Sequence, residues 1–89
     1  MALFLVAYEL SADADYSELR AKLTAAPHWW HHIGSTWLIV DDRSARDVCA
    51  ALQESVYEGD KLLVVEITDQ AMRWRGLPAE ATEWLLASP

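Results

Sequence analysis

Two stretches of this chain leave little choice of architecture. Leu3-Phe4-Leu5-Val6-Ala7-Tyr8 and Leu62-Leu63-Val64-Val65-Glu66-Ile67 are almost continuously apolar. Successive side chains of a strand point to opposite faces, so a strand built from either run is apolar on both sides and needs cover above and below. Neither run approaches the roughly 20 apolar residues that span a bilayer, and the first has no basic flank of the kind that marks an export signal. A chain of 89 residues has room for one core and not two. Hydrophobic residues make up 53% of it, five of them Trp, which is enough apolar surface to offset chain entropy and to exclude disorder. The expectation is one domain over 1–89, with a core over 1–69 and a docking extension over 70–89.

The polar stretch Ser11-Ala12-Asp13-Ala14-Asp15 ends the first strand, and Asp13 or Asp15 can cap a helix whose Tyr16, Leu19 and Leu23 share a face. Pro27 closes that helix. His28 to Ile33, the break Gly34-Ser35 and the β-rich Thr36-Trp37-Leu38-Ile39-Val40 read as a hairpin. Ser44 with Asp47 three positions on opens a second helix with the apolar face Ala45, Val48, Cys49 and Leu52. Glu58-Gly59-Asp60 is a turn into the last strand, and Gly76 and Pro78 precede a helix on which Leu77, Ala81, Trp84 and Leu85 lie together. The order β-α-β-β-α-β predicts an α+β, ferredoxin-like sandwich with a C-terminal Trp-containing extension. Two helices cover one face of such a sheet. The other is left for the tail, for a second copy of the chain, or for both, and a homodimer with the tail taking part is expected.

Seven Lys and Arg against fourteen Asp and Glu give a net charge of −7, which repels phosphate backbones and disfavours nucleic acid as a direct partner. Cys49 is the only cysteine, so an internal disulfide and multi-cysteine metal sites are excluded and a cytoplasmic setting is expected. The three glycines sit apart and build no phosphate cradle, and Ser35 lacks a nucleophile-elbow context.

Val6-Ala7-Tyr8-Glu9-Leu10 followed by Asp15-Tyr16-Ser17-Glu18-Leu19, then Ser35-Thr36-Trp37-Leu38-Ile39-Val40, then Gly59-Asp60-Lys61-Leu62-Leu63-Val64-Val65-Glu66 resembles the SinR-like family of small proteins. That family is similar in turn to the small CRISPR adaptation subunit, the Cas two family. The resemblance covers almost the whole chain and implies a ferredoxin-like homodimer. In the Cas two relatives it implies a nucleic-acid-associated scaffold, with Mg²⁺-dependent nuclease activity claimed for some members. Those relatives carry an acidic residue, usually aspartate, at the end of the first strand, where this chain has Glu9.

Glu9 has two readings: with its symmetry mate it holds Mg²⁺ as a catalytic or metal residue, or it is a polar residue ending a surface strand. Asp41 and Asp42 end another strand and are candidates to converge with it. In His28-Trp29-Trp30-His31-His32, the extended chain puts His28 and His32 on one face as candidate metal ligands without a third, while stacking among the rings is the structural alternative. Trp29, Trp30 and His31, with Arg73-Trp74-Arg75, are the candidate interaction residues. Cys49, with no base near it in sequence, reads as a small buried side chain. The function expected is a non-catalytic, homodimeric interaction or scaffold protein with a protein partner. The alternative is a Mg²⁺-dependent endonuclease or endoribonuclease of the Cas two type.

Overall fold

The computed structural model describes residues 1–11 and 13–89; Ala12, within the polar stretch after the first strand, lies outside them. The elements are β1 (Ala2–Glu9), α1 (Ser17–Thr24), β2 (His28–Ile33), β3 (Thr36–Asp41), α2 (Ala45–Gln53), β4 (Lys61–Glu66) and α3 (Ala79–Ala87). The strands form one antiparallel sheet in the order β2-β3-β1-β4. The α+β class expected from the sequence is present, as four antiparallel strands and three helices.

Alternation along β1 and β3 divides the core in two. Phe4, Val6, Trp37 and Ile39 point to one face, where they are buried with Leu19 and Leu23 of α1 and Val48 and Leu52 of α2. Leu3, Leu38 and Val40 point to the other, where Trp30 of β2 and Ala81 and Leu85 of α3 cover them. The C-terminal segment therefore packs on the sheet of its own chain. Trp30 donates from Nε1 to the Ala81 carbonyl at 3.2 Å, and Trp74 donates from Nε1 to Thr82 Oγ1 at 3.1 Å. Both indoles satisfy their one donor while their rings fill apolar space, the usual condition for an internal Trp.

Side chains of the connecting segments fix the ends of the elements. Asp15 Oδ1 accepts from the Ser17 amide at 2.9 Å, and Ser44 Oγ accepts from the Asp47 amide at 3.1 Å, so α1 and α2 each have one otherwise orphaned N–H satisfied. Buried Asp41 grips Arg43 through Nε at 2.9 Å and Nη2 at 2.8 Å and accepts the Arg43 amide at 3.0 Å. These bonds from Arg43 hold the Asp41 carboxyl below its ordinary range despite burial.

Asp60 joins segments that are far apart in sequence. It accepts from the Ser11 amide and the Tyr57 amide, each at 2.8 Å, from Ser11 Oγ at 3.1 Å, and from the Tyr16 hydroxyl at 2.9 Å. Desolvation pushes this carboxyl upward, but the bonds from Tyr57, Ser11 and Tyr16 outweigh it and bring the pKa down to about 2. Tyr16 and Tyr57 meet edge to face across it with centroids 5.3 Å apart. Gly59 is required beside this cluster: its φ is +93°, and a Cβ there would lie 3.1 Å from Ser11 Oγ.

Candidate functional site

The second face of the sheet is covered over only part of its area. Cross-strand register sets Val65, Leu5 and Leu38 in one row and Leu63, Ala7 and Thr36 in the next. The tail shields the β2 and β3 ends of these rows and leaves β4 open, so that Leu63 is 56% and Val65 40% exposed. Ile33 joins the open area through a backbone irregularity. Register sums change between Trp30 opposite Leu38 and Ile33 opposite Thr36, and this one-residue slip brings Ile33 to the same face as Thr36. It is 51% exposed there.

Beside this area the tail crosses the sheet as a strap. Met72, Trp74 and Leu77 turn inward and are partly buried, whereas Arg73 and Arg75 between them are exposed. The strap and sheet enclose an open cleft of about 330 Å³ whose walls include Leu5, Ile33, Thr36, Met72, Trp74 and Leu77, with Arg73 at its edge. Three other cations of the chain are engaged, Lys22 with Glu18 and Glu54, Arg43 with Asp41, and Lys61 with Glu9, while Arg20 and Arg46 are exposed on the helices. No carboxylate of the described residues lies within 4.0 Å of either Arg73 or Arg75. Arg73 donates from Nη1 to the Met72 carbonyl at 2.8 Å.

The candidate residues read from the sequence separate into distinct places. Glu9 ends β1 at the surface and contacts Lys61 at 2.9 Å. Asp41 does not converge with it, because the antiparallel register sets Asp41 opposite Ala2 at the far end of β1. Seven strand residues amount to about 23 Å. His28 and His32 are four strand residues apart, roughly 13 Å, which is too far for both to reach one ion at Zn–N distances near 2 Å. Among the described residues no group of three or more His, Cys, Asp or Glu is placed to hold a metal ion.

Trp29 and Trp30 point to opposite faces. Trp30 is 3% exposed and belongs to the core under α3, which corrects its assignment to an interaction surface. His31 stacks on Trp37 with centroids 4.0 Å apart and planes at 15°, and its Nε2 lies 2.6 Å from the Gly34 carbonyl. His31 therefore braces the hairpin. Trp29 contacts Trp37 at 5.4 Å and keeps 45% of its surface in solvent. Trp74 anchors the strap, and the two arginines flanking it face outward.

Residues missed by sequence reasoning are Ile33, Leu63, Val65 and Asp60. The signal for Leu63 and Val65 was present, since a strand apolar on both sides already demands two covers. Among the described residues no helix is long and apolar enough to cross a membrane. Comparison with family models, with curated proteins and with solved structures found no match.

Proposed function

We propose that this chain is a non-catalytic, homodimeric interaction module, ferredoxin-like in its β2-β3-β1-β4 order and akin to the SinR-like and Cas two families, working by recognition of another protein. The observation that carries the reading is the uncovered apolar strip on β4. β4 is an edge strand, paired only with β1. It has no proline and no register shift, and its only charges are at its ends, Lys61 and Glu66. Edge strands of soluble monomers are normally blunted by such devices.

The strip is self-complementary. When two β4 strands pair antiparallel about a dyad at Val64, Leu63 of one copy falls opposite Val65 of the other, on one face and twice over. Four half-exposed side chains then contribute roughly 3–6 kcal/mol. That is near the low end of the ~4–15 kcal/mol lost in association, so edge hydrogen bonds must supply the remainder and the dimer is expected to dissociate on dilution.

Sedimentation velocity over a dilution series tests this. The wild type should pass from dimer to monomer in the micromolar range, and Leu63→Glu should sediment as a folded monomer throughout. A folded wild-type species that stays near 10.0 kDa at the highest concentrations overturns the reading. So does EDTA-sensitive cleavage of single-stranded RNA or duplex DNA that is lost in Glu9→Ala, which would favour the nuclease instead.

A further inference from the structure

In a chain with twice as many acids as bases, Arg73 and Arg75 differ from the other exposed arginines, Arg20 and Arg46, in standing two positions apart on a segment that packs on the apolar face of the sheet. Both are exposed, neither has a carboxylate partner among the described residues, and both flank a Trp that is pinned to α3. The pin matters because burial of Met72, Trp74 and Leu77 fixes the strap against the sheet, which presents the two guanidiniums without further ordering of the backbone. At the foot of Arg73 lies the apolar cleft, with half-exposed Ile33 in its wall, and Arg75 follows two positions along the strap. Unpaired guanidiniums beside unsatisfied apolar surface match a ligand that carries negative charge and a bulky apolar group together.

The form of the cleft narrows the choice of ligand. Pockets for small molecules bury most of the ligand surface. This one is open along the sheet, so it can seat one side chain of a longer segment but cannot enclose a free amphiphile. Alternate residues of an extended ligand repeat at about 6.5–7 Å, so such a ligand can offer two carboxylates on one side to two arginines at alternate positions of the strap. The net charge of −7 is spread over the molecule, and at physiological salt charges beyond about 8 Å are largely screened. Contact with the two guanidiniums therefore decides the local preference.

We propose that the cleft under the 72–77 strap binds a short acidic segment of a partner protein, its large apolar side chain inserted beside Ile33 and Trp74 and its carboxylates on Arg73 and Arg75. Leu63 and Val65 lie outside the cleft, so this site is separate from the dimer strip and can fail or hold independently of it.

The test is fluorescence anisotropy with the full-length protein and a labelled ten-residue peptide in which a central Leu is flanked on both sides by Asp and Glu. Saturable binding is expected, weakened at least tenfold by Arg73→Ala with Arg75→Ala and at least fivefold by Ile33→Ser. All three positions are exposed, and near-ultraviolet circular dichroism checks that each variant keeps its fold. Replacing the central Leu of the peptide with Ser should also cost at least tenfold. Binding that ignores this replacement would mean attraction of charge alone and would overturn the proposal. It is equally overturned by absence of saturation, by decanoate binding more tightly than the peptide, or by a single-stranded oligonucleotide of equal charge binding as well.

Discussion

Leu85 and Leu86 are neighbours on α3 with opposite fates, and this makes them a sharp test of how the tail is docked. Leu85 is 6% exposed, packed with Leu3, Val40 and Ala81, while Leu86 is 73% exposed. Truncating a buried leucine to alanine removes its transfer free energy and leaves a cavity, at a cost of about 2–5 kcal/mol. The lower half of that range applies here, because α3 is a surface helix that can settle inward. Total stability for a domain of this length is on the order of 5–13 kcal/mol, so Leu85→Ala should remove a large fraction of it and lower the melting temperature by roughly 10–20 °C. Leu86→Ala removes a solvated side chain and substitutes a better helix former, so it should stay within about 0.5 kcal/mol of wild type. Urea denaturation of both variants, followed by Trp fluorescence at low micromolar protein, gives the two numbers. Equal losses would refute docking of α3 through the Leu85 face. A loss confined to Leu86→Ala would show that the tail is turned outward onto another molecule.

Two further outcomes follow from the Asp60 cluster. The folded-state pKa of Asp60 is about 2 against an ordinary 3.8, so its contribution is fully present above the unfolded value and is lost as pH falls through the folded one. The urea midpoint of wild type should thus fall more steeply than that of Asp60→Asn between about pH 4 and pH 2; parallel curves would remove Asp60 as a source of acid sensitivity. Gly59→Ala forces an L-residue to φ +93° and sets a methyl 3.1 Å from Ser11 Oγ. It should destabilise by about 1–2 kcal/mol in the same denaturation assay, and a stabilised variant would contradict the backbone geometry.

What was legible in the sequence was what local pattern dictates. Runs of consecutive apolar residues marked β1 and β4, Ser44 with Asp47 marked the start of α2, and Ala81, Trp84 and Leu85 marked one face of the last helix, whereas Leu77, expected on that face, lies in the strap before α3 begins at Ala79. Periodicity says that a face must be covered but carries no address, which is why docking of the tail within the chain had to be seen. The slip in β2 escaped because His28-Trp29-Trp30-His31-His32-Ile33 contains no Gly or Pro to announce it. Trp29 and Trp30 are the same residue type, and only the position of α3 decides which of them is covered. Asp60 read as a turn residue because its partners Ser11 and Tyr16 are 49 and 44 positions away. Of the candidate site, the arginines are visible in the sequence as a cluster, but the absence of a carboxylate near them among the described residues depends on where the acids of distant segments fold, which local pattern does not carry.

The central strands β1 and β3 are a party wall between two dry rooms. Phe4 and Trp37 face one, Leu3 and Leu38 the other, with a single thickness of backbone between them. A disturbance that wets either room reaches the reverse side of the same hydrogen-bonded ladder, so neither layer of helices is an independent appendage. The tail, though last in sequence, is as much a part of what keeps this wall standing as the helices threaded between the strands.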